Sequence, residues 1–453
     1  MKKFLPDRPF MKRVLLVALP LMLQQLITVS VNLIDNLMIG TLGNDAISAV
    51  AVVNKYYMIA SMAVTGLTAA GAVFVAQFFG AGNASSMKKS YSSMMTASVA
   101  VTAVFMMIGF FFMQPILCYF TNEESVIAQS VLYMQIVLLS YLPYAITLCL
   151  YSTIRAIGDT KTPFFCSIIP VVTNTFLNYC LIFGNFGLPQ LGIRGAAIAT
   201  LTARLLECVV IVFIYHHKEY PFRSSLLSYI KVDMKITKQV LSKAAPLMTN
   251  EMLWSFGMAT LFKFYATRGA DVMSGFSIAG TISDLFFTLF AGMAAASTVL
   301  ISTPLGADRI EEAKSNAYRL IGFSAGLAAV FGVMMYSSSL LVPVLYSRVS
   351  ADAQSCAKVF IRVQSCLFWL YMATTQCYFI LRAGGDMKHT LMMDSGFMWT
   401  VMIPVVGCVT YLTSATYIWI YLSAQAADFI KLIFAFHLVF KEKWAVNLTN
   451  NSD

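Results

Sequence analysis

The chain repeats itself at a fixed interval, and this internal repeat restricts the possible folds more than any other feature of the sequence. Pro20 and Pro246 lie 226 residues apart in a chain of 453 residues. The sequence RAIGDTK at 155–161 returns as RAGGDMK at 382–388, at an interval one residue longer than that between the two prolines. An interval of nearly half the chain length means that the chain consists of two copies of one unit.

Twelve apolar stretches, six in each copy, are long enough to cross a membrane. A spanning helix needs ~20 apolar residues, and 58% of the chain is hydrophobic while only 11% is charged. Because six is even, both copies start on the same side of the membrane, so the repeats are parallel. The predicted fold is an all-α polytopic membrane protein with twelve transmembrane helices. The predicted spans are 14–40, 51–79, 92–117, 126–152, 163–185, 192–216, 239–267, 273–302, 316–346, 356–381, 391–411 and 415–440.

The longest polar stretch falls between the two copies and divides the chain into three parts. We predict an N-terminal six-helix bundle at 1–215, a cytoplasmic linker at 216–243 and a C-terminal six-helix bundle at 244–453. With a cytoplasmic N-terminus, most lysines and arginines fall in inner segments, Lys231 and Lys431 among them, and both termini lie inside. The net charge of +10 then reflects topology and anionic lipids, not nucleic-acid binding.

The cysteines and histidines do not indicate a catalytic or metal site. The nine cysteines are scattered in or beside apolar runs without a CxxC pair, which is typical of small buried hydrophobic residues. The four histidines lie in loops or near the C-terminus. We therefore expect no metal, no cofactor and no enzyme activity. The first apolar run, from Val14, lacks a small-residue cleavage site, so we expect no cleavable signal peptide.

A stripe of polar residues runs along one face of the first predicted helix. It consists of Gln25, Thr28, Asn32 and Asp35, which recur at i, i+3, i+7 and i+10. An ionisable group inside a bilayer costs at least ~2.5–3.5 kcal/mol, so Asp35 is a functional candidate. The alternative, a structural hydrogen-bond hub, stays open.

Polar residues of the fifth and sixth helices can serve the same carboxylate. Asn174 and Asn178 share one helix face, and both can donate hydrogen bonds to Asp35 and stabilise its charge. Arg204 and Glu207 lie at i and i+3 in the sixth helix, and we interpret them as an internal salt bridge.

The second copy does not repeat the charges of the first. Leu261 stands where the first copy has Asp35, and Glu251 stands where it has Gln25. A carboxylate beside aromatic and methionine side chains suits organic cations. Such a stripe recurs at i, i+3 and i+7 in the seventh helix: Glu251, Trp254 and Met258.

Two further carboxylates lie within predicted spans of the second copy. Asp284 lies about ten residues into the eighth helix, close to the middle of the membrane. Asp394 lies near the inner end of the eleventh helix and could be an anchor. For Glu251 and Asp284 a structural role stays as open as a functional one.

Several motifs together resemble a known transporter family. They are Ala18-Leu-Pro20, Asp35-Asn-Leu-Met-Ile-Gly40, Gln77-Phe-Phe-Gly80-Ala-Gly82, RAIGDTKTP at 155–163, Asn174-x-x-Leu177-Asn178 and LGIRGAAIAT at 191–200. The chain resembles, over essentially its whole length, the multidrug and toxic compound extrusion (MATE) family of efflux transporters. That family belongs to the multidrug/oligosaccharidyl-lipid/polysaccharide flippase superfamily.

The resemblance implies two six-helix bundles that form a V-shaped central cavity, and export driven by a proton or sodium gradient. It also implies a coupling role for the first-helix aspartate, matched by Asp35, and for the fifth-helix asparagine, matched by Asn178. Many relatives carry a second acid where this chain has Ile182, and another branch carries one in the tenth helix, where 359–381 has none. A single carboxylate suits a proton better than sodium, so protons are favoured.

We therefore predict a cation-coupled antiporter, monomeric in the plasma (inner) membrane, that exports amphipathic, cationic drugs or metabolites. The predicted coupling residues are Asp35, Asn178, Asn174 and Thr200. The predicted substrate-cavity residues are Gln25, Asn32, Glu251, Trp254, Met258 and Asp284. The alternative is a lipid-linked precursor flippase, which needs a basic cavity for pyrophosphate. An intramembrane enzyme is disfavoured, because no constellation at catalytic spacing occurs.

Overall fold

The computed structural model of this chain describes residues 2–224, 233–346 and 349–449. Within these ranges the chain is mostly helical, and no β-strand occurs there. Part of the predicted linker, residues 225–232 with Lys231, lies outside the described residues.

Twelve long helices follow one another in the described residues, at the positions of the twelve predicted spans. They are α1 (Arg8–Gly40), α2 (Asn44–Gly80), α3 (Ala84–Phe111), α4 (Glu124–Ala156), α5 (Lys161–Phe183), α6 (Ile193–His217), α7 (Met234–Ala266), α8 (Asp271–Gly306), α9 (Ile310–Leu345), α10 (Ala351–Ala383), α11 (Met387–Leu412) and α12 (Tyr417–Phe440). A short helix, Met113–Phe120, lies between α3 and α4. Helix α7 starts five residues before the predicted span and takes in part of the predicted linker.

Most of these helices are suited to a membrane by length and composition. Ten of the described helices are long and apolar enough to cross a membrane, and α10 qualifies as two pieces bent by 56°. Helix α7 is 33 residues long but is less apolar, since it carries Asn250, Glu251 and Lys263. Large apolar side chains also cover the outside, for instance Phe213 at 61% and Ile433 at 71% exposed. Lipid can solvate such a surface, whereas water cannot do so favourably.

The sequence repeat is reproduced in the local backbone. Gly43 precedes α2 with φ 107°, and Gly269 precedes α8 with φ 109°. Residues with a Cβ adopt this region at a cost, and glycine does not. The two copies therefore use the same turn to enter their second helix.

The described residues form two compact units, and each boundary falls within a proline-containing helix. One unit, here the N-unit, covers residues 23–248. The other, the C-unit, contains the residues up to Met22 and those from Thr249 onward. These boundaries lie two residues beyond Pro20 in α1 and Pro246 in α7. They differ from the sequence boundaries at 215 and 244 because α1 and α7 each contribute residues to both units.

Inside each unit, a glycine admits the first part of a proline-containing helix. In the N-unit, a Cβ built on Gly66 would lie 2.8 Å from backbone atoms of Met248. In the C-unit, a Cβ on Gly292 would lie 2.8 Å from the carbonyl oxygen of Ala18. Small residues permit this close approach, which is common between membrane helices. The packing is thus repeated together with the sequence.

Candidate functional site

The carboxylate of Asp35, near the end of α1, accepts hydrogen bonds from two asparagine amides of α5. Asn178 Nδ2 donates to Asp35 Oδ1 at 2.9 Å. One terminal atom of the Asn174 amide lies 2.8 Å from both carboxylate oxygens. We assign this atom as Nδ2, because an amide oxygen would face only acceptors there. The predicted hydrogen bonds from α5 to Asp35 are therefore confirmed.

The helical spacing of α5 brings the two amides to the same carboxylate. Asn174 and Asn178 are one turn apart, and they are 7% and 1% exposed. Thr200 on α6 completes the group, with its hydroxyl 3.3 Å from the second terminal atom of the Asn174 amide. The same hydroxyl donates to the Ala196 carbonyl at 3.0 Å. All four predicted coupling residues thus lie together within the N-unit.

Tyr133 on α4 also belongs to this site, although no motif or spacing in the sequence indicates it. Its side chain is 5% exposed and lies near the Thr200 hydroxyl and the charge of Asp35. A lone tyrosine in an apolar helix gives no signal in the sequence, because its partners come from other helices.

The site offers one carboxylate and no second acid. Ile182, one turn after Asn178 on α5, is apolar and fully buried. No group of three or more His, Cys, Asp or Glu that could hold a metal ion occurs among the described residues. Asn178 Oδ1 is buried and accepts no hydrogen bond from the described part of the chain. One acceptor is therefore available beside Asp35.

The remaining polar residues of the α1 stripe do not join these hydrogen bonds. Gln25 and Asn32 are exposed. Thr28 is partly buried, and its hydroxyl donates to the Gln24 carbonyl of its own helix at 2.9 Å. Of the predicted stripe, only Asp35 lies in the amide site.

The predicted salt bridge of α6 is present. Arg204 Nη1 lies 3.1 Å from Glu207 Oε2, and the Glu207 side chain is 3% exposed. The hydroxyl of Tyr151 donates to Glu207 Oε1 at 2.8 Å. The buried carboxylate thus has two partners.

The C-unit places Glu251 beside a tyrosine and an arginine of α10. Tyr378 donates its hydroxyl to Glu251 Oε1 at 3.3 Å, and the charge of Arg382 acts on the carboxylate. Trp254 and Met258 are 40% and 36% exposed on the same helix. The predicted stripe of Glu251, Trp254 and Met258 therefore lies on α7, and its carboxylate interacts with side chains of α10.

Asp394 is bound by Lys431, and this corrects the placement of Lys431 in an inner segment. Lys431 lies within α12, and its Nζ is 2.6 Å from Asp394 Oδ1, with the side chains 13% and 17% exposed. Asn250 Nδ2 donates to Asp394 Oδ2 at 3.0 Å. Asp428, one turn before Lys431, faces the same cation and was also missed from the sequence. Carboxylates inside the C-unit neutralise Lys431. This basic residue can therefore lie within a helix and does not need to lie in a loop.

Asp284 contrasts with Glu251 and Asp394, the two carboxylates of the C-unit described above. It is exposed on α8, and it has neither a hydrogen bond nor an ion pair with any residue that the structure describes. Its position is that of a charge open to a ligand or to water.

Asp159 belongs to a polar cluster that lies outside the spans, at the predicted inner end of the N-unit. Lys218 Nζ and the Tyr220 hydroxyl both donate to Asp159 Oδ2 at 2.8 Å, and Thr162 N donates to Oδ1 at 3.0 Å. Burial raises the pKa of Asp159, but these hydrogen bonds outweigh burial and lower the pKa to about 2. The cluster ties the start of α5 to the segment that follows α6.

Comparison with known proteins agrees with the repeat and with the fold. The family model MatE matches residues 20–180 and 246–406, one match in each copy. The chain is 23% identical over 439 residues to the probable multidrug resistance protein YoeA of Bacillus subtilis, covering 95% of this chain and 94% of the relative. It is 24% identical over 408 residues to the probable multidrug resistance protein NorM of Bacillus cereus, covering 87% of each.

Among solved structures, the chain is similar to a mutant of the MATE transporter VcmN from Vibrio cholerae. The TM-score is 0.86 at 18% identity, covering 96% of this chain and 98% of the other. At this identity the likeness shows the fold of a multi-span membrane protein.

Proposed function

The chain belongs to the MatE family, and on that premise we propose that it is a proton-coupled antiporter of amphipathic, cationic drugs or metabolites. It works in the plasma membrane with both termini in the cytoplasm. The observation that carries the proposal is the single carboxylate of Asp35, bound by the neutral amides of Asn174 and Asn178. The related multidrug resistance proteins support export as the direction of transport.

The groups around Asp35 can serve both of its protonation states. The ionised carboxylate accepts the two amide N–H groups. A protonated carboxyl needs an acceptor, and rotation of the Asn178 amide would present its unpartnered Oδ1. Amide nitrogens, not oxygens, face the carboxylate, an arrangement that favours a proton over a sodium ion, which requires oxygen ligands.

An antiporter can exchange a proton for substrate only if the binding of both depends on the same conformational equilibrium of the protein. Protonation of Asp35 removes a charge from the N-unit, and so changes the relative free energies of the transporter's conformations. If the substrate and the proton prefer different conformations, each lowers the affinity for the other by the same factor. Release of substrate on protonation is then the export step.

The first test is the substitution Asp35→Asn, which preserves the shape of the side chain but cannot exchange a proton. In proteoliposomes with an imposed pH gradient, we expect dye transport by this variant to fall to the level of empty vesicles. The matched control is Asp45→Asn, in the first turn of α2, which we expect to transport like the wild type. A sodium gradient, imposed separately, measures the alternative ion.

Two results would contradict the proposal. Wild-type rates in the Asp35→Asn variant would exclude Asp35 as the coupling group. Transport driven by the sodium gradient and not by the pH gradient would exclude the proton as the coupling ion.

The exposed carboxylate of Asp284 supports a cationic substrate. It lies on α8 without a partner among the described residues, so a lipophilic cation can reach it. For Asp284→Asn we expect the apparent affinity for a lipophilic monocation to fall about tenfold, equivalent to about 1.4 kcal/mol. An uncharged substrate of similar size is the control and should be transported unchanged. An equal loss of apparent affinity for both substrates would show that Asp284 does not discriminate between substrates by their charge.

The flippase alternative has less support in the structure. Pyrophosphate headgroups require basic side chains that are available for binding. Arg204 is paired with Glu207, and Lys431 is paired with Asp394. An assay of lipid flipping beside the dye assay distinguishes the two functions.

A further inference from the structure

The segment that follows α12 folds back over the end of α10 within the C-unit. Trp444 in this segment is fully buried, and its indole N–H donates to a backbone carbonyl of α12 at 2.9 Å. A Cβ built on Gly384 would lie 2.3 Å from the Trp444 carbonyl oxygen and 2.6 Å from a carbon of its ring. A Cβ on Gly385 would lie 3.0 Å from Leu448. We name residues 441–449 the terminal strap, because they cover this pair of glycines.

A charged residue and a tyrosine of α9 hold the start of the terminal strap. Glu442 accepts hydrogen bonds from Lys314 Nζ at 2.8 Å and from the Tyr318 hydroxyl at 2.5 Å. The ring of Phe4 packs on the same tyrosine, with 5.6 Å between the ring centres. The terminal strap is therefore bound by α9 at its start and covers the glycine pair further along.

The N-unit has a similar arrangement after α6. Lys218 and Glu219 follow α6 as Lys441 and Glu442 follow α12, and both glutamates adopt a positive φ, 47° and 54°. Residues other than glycine adopt this conformation rarely. The segment after α6 binds Asp159 in the loop that follows α4. In both units, the segment after the sixth helix thus covers the loop after the fourth, so the terminal strap is part of the repeated scaffold.

One residue of the covered loop differs between the copies in a way that fits the tryptophan. The loop reads RAIGD in the N-unit and RAGGD in the C-unit, so Gly384 stands where the first copy has Ile157. Any side chain at Gly384 would overlap with Trp444, and a close-packed interior does not tolerate such an overlap. The glycine therefore provides the space in which Trp444 is buried.

The loop under the terminal strap is continuous with the last turn of α10, which carries Arg382. The Arg382 carbonyl accepts the Gly385 N–H at 3.0 Å. The Ala383 carbonyl accepts the Ser302 hydroxyl at 2.7 Å. These hydrogen bonds connect the covered glycines to the backbone of Arg382, so the terminal strap fixes the point from which the arginine side chain extends.

The side chain of Arg382 lies on two aromatic rings and acts on Glu251. Its guanidinium is 5.7 Å from the centre of the Tyr378 ring and 5.3 Å from that of Phe379. Its charge acts on the carboxylate of Glu251, which also accepts the Tyr378 hydroxyl at 3.3 Å. Asp394, another carboxylate near Glu251, is already paired with a lysine. The charge of Glu251 is therefore balanced by Arg382.

We infer that the terminal strap holds Arg382 beside Glu251 and thereby keeps this carboxylate from binding a cationic substrate. This inference rests on the proposed function, because it requires that the transporter binds cations. Trp444 is a positioning residue, since it acts through the covered loop and through Arg382. The exposed carboxylate of Asp284 then attracts the substrate without competition from Glu251.

The test uses Trp444→Ala in the full-length protein in nanodiscs and measures equilibrium binding of tetraphenylphosphonium, a lipophilic monocation. Loss of the indole uncovers the glycine pair, so Arg382 loses its fixed position and Glu251 attracts the cation. We expect the affinity to rise about tenfold, as one additional close charge pair implies. The matched control is Trp419→Ala, because Trp419 on α12 is 64% exposed. This control should bind the cation like the wild type.

An uncharged probe and a second background distinguish positioning from a merely structural role. Triphenylphosphine oxide is uncharged and should bind equally to the wild type and to Trp444→Ala. In the Glu251→Gln background, Trp444→Ala should no longer raise the affinity for tetraphenylphosphonium. A structural role would change the affinity for both probes, or would persist in the Glu251→Gln background, and either result overturns the inference. An unchanged or lower affinity for the cation in folded Trp444→Ala also overturns it.

A milder variant keeps the test decisive if Trp444→Ala does not fold. Glu442→Lys repels Lys314 and weakens the attachment of the terminal strap to α9. We expect the affinity for tetraphenylphosphonium to rise about threefold, in line with the strength of a partly exposed ion pair. The charge exchange that combines Glu442→Lys with Lys314→Glu should restore the wild-type affinity. If Glu442→Lys and the charge exchange bind the cation alike, the inference is wrong.

Asp284→Asn separates failure of the inference from failure of the proposed function. If neither the wild type nor any variant binds tetraphenylphosphonium more tightly than the uncharged probe, the cationic substrate of the proposed function is excluded. If Asp284→Asn loses affinity for the cation while Trp444→Ala binds it like the wild type, only the role of the terminal strap is excluded.

Discussion

The polar sites of the two units lie on repeat-related helices but bind their carboxylates with opposite chemistry. In the N-unit, neutral amides of α5 bind Asp35. In the C-unit, the fixed cation of Lys431 binds Asp394 at 2.6 Å. A neutral donor leaves a carboxylate able to accept a proton, whereas a lysine favours the ionised form. Duplication therefore preserved two scaffolds, and under the proposed function only the N-unit carboxylate exchanges a proton.

A tyrosine–arginine pair is retained in both copies, with a different partner in each. Arg155 lies 5.4 Å from the ring of Tyr151, and Arg382 lies 5.7 Å from the ring of Tyr378. In the N-unit the arginine of the pair binds the neutral Gln24. In the C-unit the tyrosine of the pair donates to a carboxylate of α7. The pair therefore belongs to the shared scaffold, and its tyrosine donates to a carboxylate in both units, on α6 for Tyr151 and on α7 for Tyr378.

Among the substitutions that test this comparison, we expect Lys431→Met to have the largest effect on the free energy of unfolding. This substitution leaves Asp394 buried opposite no cation, so we expect a loss of about 3–5 kcal/mol in stability. Asp35→Asn, by contrast, leaves no charge unpaired in the amide site and should cost less stability than Lys431→Met. The measurement is thermal unfolding in detergent, followed by fluorescence.

Two further variants control for the loss of a lysine or arginine as such. Arg309→Met breaks an exposed pair with Glu312, whose side chains are 59% and 38% exposed, and should cost at most about 1 kcal/mol. The double variant Lys431→Met with Asp394→Asn should regain most of the lost stability. If Lys431→Met unfolds at the wild-type temperature, the C-unit carboxylate is not held by its cation and the comparison fails.

The parts of the site that were predictable from sequence depend on local spacing. Asn174 and Asn178 share a face because they are one turn apart, and Arg204 pairs with Glu207 for a similar reason. Asp35 was recognisable because a carboxylate in an apolar helix is costly. The twelve spans follow from lengths of apolar sequence, which are a property of the chain alone.

The parts that were not predictable depend on contacts between distant helices. Counting basic residues assigns Lys431 to an inner segment, because the count treats each residue alone and its partner Asp394 lies on another helix. Tyr133 and the bond from Arg155 to Gln24 are of the same kind. The unit boundaries within α1 and α7 depend on packing at Gly66 and Gly292 and not on the polarity of the linker.

The smallest effect is expected in the loops at 155–161 and 382–388, where the copies also differ. Asp159 is bound by groups that follow α6, Lys218 and Tyr220, whereas Asp386 is bound by His389 of its own helix. The pKa of Asp159 is lowered from 3.8 to about 2. Its ionised form therefore stabilises the fold above about pH 4, and this contribution is lost as the pH falls from about 4 to about 2.

For Asp159→Asn we expect a loss of about 1–2 kcal/mol at pH 7, a value reduced because Lys218 is half exposed. The unfolding temperatures of the variant and the wild type should converge as the pH approaches 2, because the wild-type carboxylate is then protonated. Asp386→Asn breaks contacts within one helix terminus only, so it should leave the exchange of the segment after α6 unchanged, while Asp159→Asn should increase it. If both substitutions affect that segment equally, the loops are not differently connected, and the two copies differ only in their membrane-spanning charges.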